Sequence, residues 1–352
     1  MILASTSSRW WWVLRVAVFS LLLFLGLYIG SIIKAYDVRT FDDAWRVVRS
    51  FFVVQEIKIY FGESQFGLAS LKSSGGVIPP ANVFDGNLEL LANFAADSRF
   101  RRMARSVGRI DLKVEYDEVD PRTKKVERKR KVEPCSAVVV SSTLVLTAFH
   151  CTQGESAKPY HILEAVLRLG YLRDGSKETE GIGLKLNPEK IPCSSTYDCA
   201  LFEIPAGEFA TQAAPSGFAP ARLAVADLKP ERDLVVIHHP LGGTMHVTRR
   251  GCRVAAAKPG HVPMIEGGAK SFLHECGTLP GTSGAPIFDE CSGDVIALHV
   301  RGDRSLIALG KNDGQGFTIG AIAEHDRSGL LKPLIQQQRS DGCGSLRSIA
   351  PG

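Results

Sequence analysis

The stretch Cys276-Gly277-Thr278-Leu279-Pro280-Gly281-Thr282-Ser283-Gly284-Ala285-Pro286-Ile287-Phe288 decides the fold. Packing alone explains poorly a serine set between glycines immediately before an apolar strand. Working back along the chain, two further segments end or open short apolar runs. They are Leu146-Thr147-Ala148-Phe149-His150-Cys151 and Tyr197-Asp198-Cys199-Ala200-Leu201-Phe202. Histidine, aspartate and serine therefore occur in that order, each at the edge of a β-like run.

Chemistry gives each residue a distinct task. Serine is a weak nucleophile at neutral pH, so Ser283 requires a base, and a neutral His150 imidazole can take its proton and later deliver it. Asp198 would hold the ring in the productive tautomer, with Asp174 as the alternative acid. Gly281 lacks a Cβ, which lets the backbone turn N–H groups inward. Gly281 and Ser283 are the expected donors of an oxyanion hole.

From about residue 105 onward the pattern is one of short runs rich in Val, Ile and Thr, bounded by turn residues. Examples are Arg109 to Tyr116, Ser136 to Val140, Leu144 to Ala148, Ala165 to Leu169, Ala200 to Ile204, Asp233 to Ile237, Ala285 to Phe288 and Val295 to Val300. This spacing predicts antiparallel β-structure. Closing such strands into barrels would remove exposed edges.

The His, Asp, Ser order matches the chymotrypsin arrangement and differs from the subtilisin and α/β-hydrolase orders. Ala285 also stands where a lipase-type elbow needs glycine. Together with Val236-Ile237-His238-His239-Pro240-Leu241-Gly242 and Ile296-Ala297-Leu298-His299, these motifs make the stretch from Val107 to Ile335 resemble the trypsin-like serine peptidases, particularly their glutamyl endopeptidase-like bacterial branch. The resemblance implies an all-β fold of two six-stranded antiparallel barrels and a serine endopeptidase acting on protein or peptide through an acyl-enzyme, with no metal and no organic cofactor. A catalytically silent binding module of the same fold is the rival reading.

Further details follow from the resemblance. Gly277, Thr278 and His299 match specificity-pocket positions, which implies a preference for acidic or small uncharged residues before the scissile bond. Thr282 stands where trypsin has an aspartate, so activation through that ion pair is not expected. Cys135 with Cys151, and Cys252 with Cys276, are the disulfides the resemblance implies. The pairing of Cys193, Cys199, Cys291 and Cys343 stays open among three possibilities.

The chain has 352 residues, is 45% hydrophobic and 22% charged, and carries a formal charge of +5. Seven basic residues against Glu127 fall between Arg122 and Lys131, so the remainder is close to neutral and no nucleic-acid footprint is expected. That run is expected as a solvated hairpin loop, with membrane attraction or proteolytic processing as alternatives. Eight cysteines without a Cys-x-x-Cys pair suit disulfides and an oxidising compartment.

Eighteen uncharged residues from Val16 to Ile33 follow Trp10, Trp11, Trp12 and Arg15. Residues 1–34 are expected as an uncleaved membrane anchor, the rival being a signal peptide whose removal releases the protein. The peptidase would then face the periplasm or the extracellular space. Residues 35–105, with one helix expected near Trp45 to Ile59 and another from Asn87 to Ala104, read as a small mostly helical stalk or an inhibitory pro-region. The peptidase domain is expected over 106–335, followed by a flexible tail over 336–352.

Overall fold

A computed structural model describes residues 88–120, 122–153, 160–172, 181–255, 271–302 and 314–336. The first elements are β1 (Glu89–Leu90), helix α1 (Arg99–Met103), β2 (Val107–Val119), β3 (Val126–Ser141), β4 (Leu144–Ala148), β5 (His161–Leu169), β6 (Ile182–Leu186), β7 (Ile191–Ser194) and β8 (Cys199–Glu203). There follow β9 (Leu223–Ala224), β10 (Leu234–His238), β11 (His246–Thr248), β12 (Phe272–His274), β13 (Pro286–Asp289), β14 (Val295–Gly302), β15 (Gly314–Thr318), helix α2 (Ile319–Glu324) and β16 (Ile335–Gln336). Strands β2 to β8 form one sheet in the order β6-β5-β2-β3-β4-β8-β7, and the other nine form a second.

The chain is mostly β and has two sheets, but their make-up departs from two barrels of six antiparallel strands. Seven strands lie in the first sheet and nine in the second. The surplus arises from short segments. β1 pairs with β11, and β9 pairs in parallel with both β14 and β16.

Period-2 alternation explains why the central strands read as continuous apolar runs. On β3, Val138 and Val140 enter a core shared by both sheets, whereas Ala137 and Val139 enter the core of the first sheet. On β10, Val235 and Ile237 face the shared core, while Leu234 and Val236 face a third cluster within the second sheet. Both faces are therefore buried. Truncating a fully buried side chain such as Leu146 to alanine would cost about 2 to 5 kcal/mol.

The basic run is part hairpin loop, part strand: Arg122, Lys124 and Lys125 lie in the exposed turn between β2 and β3, as expected, but the rest does not. Residues from Val126 onward belong to β3, whose first residues, Val126 to Arg130, pair with the acidic end of β2. Glu115 faces Arg130 and Asp117 faces Arg128, with ion pairs of 2.8 and 3.4 Å, and Lys129 pairs with Glu118. Cross-strand neutralisation keeps this cationic segment in a sheet.

The helix expected over Asn87 to Ala104 is instead β1, a 3₁₀ turn over Leu91–Asn93, α1, and a 3₁₀ turn over Ala104–Ser106. Leu91 donates its N–H to Met245 O at 3.1 Å and joins the shared core with Phe100. The expected span from Val16 to Ile33 lies outside the described residues, as does the expected helix near Trp45 to Ile59. Among the described residues, no helix is long and apolar enough to cross a membrane.

Candidate active site

Asp198 follows β7 and precedes β8, inside the six-residue closure made by the Cys193–Cys199 disulfide. Its φ of 48° is left-handed, a conformation that aspartate tolerates better than most residues. The tight closure and Asp198 O, which accepts from Phe149 N at 3.0 Å, hold the turn against the segment after β4.

That segment, a 3₁₀ turn over Phe149–Thr152, carries His150. Asp198 engages it twice. Oδ1 accepts from the His150 backbone N–H at 2.8 Å, and Oδ2 lies 2.7 Å from Nδ1. A carboxylate can only accept, so Nδ1 carries the proton and Nε2 is left with a bare lone pair. The Cys135–Cys151 disulfide closes sixteen residues beside this turn, worth about 3 kcal/mol in the chain-entropy view.

Ser283 sits in a turn between Gly281, at φ 89°, and Gly284, at φ 81°. Only glycine fits at either place. A Cβ on Gly281 would lie 2.7 Å from Gly242 N and 2.8 Å from His239 O, and one on Gly284 would press on Ser136 O, Thr147 Oγ1 and Ala148 N. This close approach brings the Ser283 turn against β3 and the end of β4, just before the turn that carries His150. Ser283 O accepts from Ser136 N at 2.9 Å, and Cys151 Sγ lies 4.0 Å from the same oxygen.

Backbone donors around the serine divide into two sets. Thr282 N–H is satisfied by Leu279 O at 3.0 Å and Gly284 N–H by His299 O at 2.8 Å. The N–H groups of Gly281 and Ser283 have no acceptor among the described residues, and nor does the Ser283 hydroxyl.

Gly277 and Thr278 precede the Ser283 turn, and His299 lies on β14. Thr278 and His299 are buried, and Gly277 O accepts from Thr248 Oγ1 at 2.9 Å. His274, which the sequence did not single out, meets His299: its Nε2 is 2.9 Å from His299 Nδ1, and its own Nδ1 accepts from Cys276 N at 3.3 Å. His274 must then carry its proton on Nε2 and donate it to His299, leaving His299 protonated on Nε2. Burial pushes His274 down to about 3, and burial with His274 nearby pushes His299 well below the usual histidine range. Both rings are neutral at physiological pH.

Of the expected disulfides, Cys135–Cys151 and Cys252–Cys276 are both formed. Cys193 pairs with Cys199, and Cys291 is also disulfide-bonded. Each of the three described bridges abuts a candidate residue: Cys151 follows His150, Cys199 follows Asp198, and Cys276 precedes Gly277. Bridges of this kind suggest an extracellular or periplasmic location. The alternative acid Asp174 lies outside the described residues.

Ser136 also went unnoticed in the sequence. Its hydroxyl donates to Gly281 O at 2.9 Å and accepts from His239 N at 3.0 Å, so one side chain of the first sheet holds the Ser283 turn of the second. A serine beside a cysteine gives no local signal of such a role.

No curated protein matches the chain. Among solved structures, it is similar to the Rv3671c protease from M. tuberculosis in its active form, with 19% identity, 65% of this chain and 82% of that one covered, and a TM-score of 0.44. It is also similar to the thermostable serine protease AL20 from an extremophilic microorganism, with 14% identity, 65% and 99% covered, and a TM-score of 0.45. A third likeness, to Deg5, has 13% identity, 64% and 89% covered, and a TM-score of 0.41. At such TM-scores nothing about function follows from these likenesses. Residues 135–298, the span that holds His150, Asp198 and Ser283, match the family model of the trypsin-like peptidase domain.

Proposed function

We propose that the protein is a serine endopeptidase in which Ser283 is the nucleophile, His150 the general base and Asp198 the residue that orients it. The observation that carries this reading is the double engagement of His150 by Asp198, which leaves Nε2 as a proton acceptor. The trypsin-like peptidase match over 135–298 supports a serine protease independently.

In the reaction, Ser283 Oγ attacks the scissile carbonyl carbon while His150 Nε2 takes the hydroxyl proton. The carbonyl oxygen becomes an alkoxide facing the N–H groups of Gly281 and Ser283. His150 then passes its proton to the leaving amine as the C–N bond breaks, and an ester on Ser283 remains. Water attacks that ester with the same base, which releases the acid and restores the serine.

The pocket reading is that Thr278 and His299 receive an acidic side chain. His299 presents an Nε2–H donor without a partner among the described residues, which suits a carboxylate acceptor. Gly277 supplies no countercharge for a basic residue. A peptide library cut by the purified protein should favour Glu over Lys before the scissile bond by about tenfold or more, with turnover lost in Ser283→Ala. Equal cleavage after Lys and Glu would contradict the pocket assignment, and turnover by Ser283→Ala would contradict the nucleophile. Attachment to a membrane through residues 16–33 is part of the same proposal and rests on that uncharged run alone.

A further inference from the structure

Three side chains behind the nucleophile turn form a hydrogen-bonded line that the proposed reaction does not use. His238, at the end of β10, is fully buried, as are Thr282 and Thr248. His238 Nδ1 lies 2.7 Å from Thr282 Oγ1, and His238 Nε2 lies 3.1 Å from Thr248 Oγ1. Thr282 Oγ1 also accepts from Leu279 N at 3.1 Å, and Thr248 Oγ1 donates to Gly277 O at 2.9 Å.

The direction of every proton in this line is fixed by its far end. Gly277 O can only accept, so the Thr248 hydroxyl spends its one hydrogen there and must accept from His238 Nε2–H. With its proton on Nε2, a neutral His238 offers a lone pair at Nδ1, and the Thr282 hydroxyl donates to it. Thr282 Oγ1 is then free to accept from Leu279 N–H. The line therefore runs one way, Leu279 N–H to Thr282 to His238 to Thr248 to Gly277 O, with every polar atom in it satisfied. Burial, with His246, His239 and His274 adding to it, holds His238 well below the usual histidine range, in keeping with a neutral ring.

What the line holds is the backbone on both sides of the nucleophile. Thr282 lies between Gly281 and Ser283, the two residues whose N–H groups stay free, and its side chain is bonded away from them into the core. Gly277 and Leu279 fix the approach to the turn from the other end. We propose that His238 is a positioning residue for the reaction: as the Nε2–H tautomer it spans Thr282 and Thr248 and fixes the turn that aims the Gly281 and Ser283 N–H groups at the alkoxide. The inference rests on the reading of those two groups as oxyanion donors.

Removing the Thr282 hydroxyl without changing the side-chain shape unlatches the turn while leaving His150, Asp198 and Ser283 intact. Thr282→Val should lower kcat by about a hundredfold, the scale of losing one oxyanion donor, with KM changed by less than about twofold. Thr282→Ser, which restores the hydroxyl, should recover kcat to within about threefold of the wild type. Nitrogen-15 NMR of histidine-labelled wild-type protein at neutral pH should find the His238 proton on Nε2, a readout that does not depend on whether the valine variant folds. Thr282→Val with unchanged kcat in an active protein, or a His238 proton on Nδ1, would overturn the positioning role alone. A folded wild type without turnover would overturn it together with the peptidase reading on which it rests.

Discussion

Asp198→Asn is expected to lower kcat by about 10⁴-fold while leaving the fold and KM close to wild type. The size of the effect follows from the two bonds that the carboxylate makes. Oδ1 holds the His150 backbone and Oδ2 fixes the proton on Nδ1. An asparagine can keep its oxygen on the His150 N–H, but its amide then points a donor at Nδ1. The ring answers by moving its proton to Nε2, the atom that must accept from Ser283. Asparagine also adopts left-handed backbone readily, so the φ of 48° is no obstacle to folding. Steady-state kinetics on the variant, with thermal unfolding as the control, check this. A loss of less than about tenfold would take Asp198 out of the orienting role.

Acid is expected to destabilise the protein steeply. Five histidines, His238, His239, His246, His274 and His299, are buried, and burial lowers all of them, His239 and His274 to about 3. Unfolded, each would take up a proton near pH 6.5, whereas the folded chain resists doing so. Below about pH 6.5 the unfolded state binds more protons, so stability rises with pH there and falls as acid is added. For His239 and His274, whose values fall to about 3, each pH unit below that point removes roughly 1 kcal/mol apiece, and His238, His246 and His299 add to the loss in the same direction. Ordinary domains hold about 5 to 15 kcal/mol in all, so the loss between about pH 6.5 and pH 4 is a large share of the whole. Urea unfolding followed at a series of pH values should show the midpoint dropping throughout this window. A midpoint unchanged between about pH 7 and pH 5 would mean that these histidines are solvated.

Much of the fold is legible in the sequence because the runs at 107–112, 136–140, 144–148 and 234–238 are buried on both faces. The candidate residues are legible for a different reason: His150, Asp198 and Ser283 sit where strand-like runs begin or end, and each has a glycine or cysteine beside it that a turn requires. The basic segment misleads because its counter-charges, Glu115, Asp117 and Glu118, lie on the preceding strand. Only the register of β2 against β3 brings Glu115 and Asp117 opposite Arg130 and Arg128 and sets Glu118 diagonally within reach of Lys129. The segment from Leu88 to Ser106 is not one helix because, of its buried residues, only Phe100 and Ala104 would share a helix face; Leu91 lies nine positions before Phe100, half a turn out of phase, and its neighbours Glu89 and Leu90 pair with β11. His238, Thr248, His274 and Ser136 give no local sign of their roles, since each acts through a residue far along the chain.

The central claim, that Ser283 is a nucleophile activated by His150, is tested most directly by treating the folded protein with a fluorophosphonate and locating the adduct by peptide mapping. A single adduct on Ser283, absent from Ser283→Ala and from His150→Ala, is the predicted result. Folded protein that takes no label, or takes it at another residue, would contradict the claim.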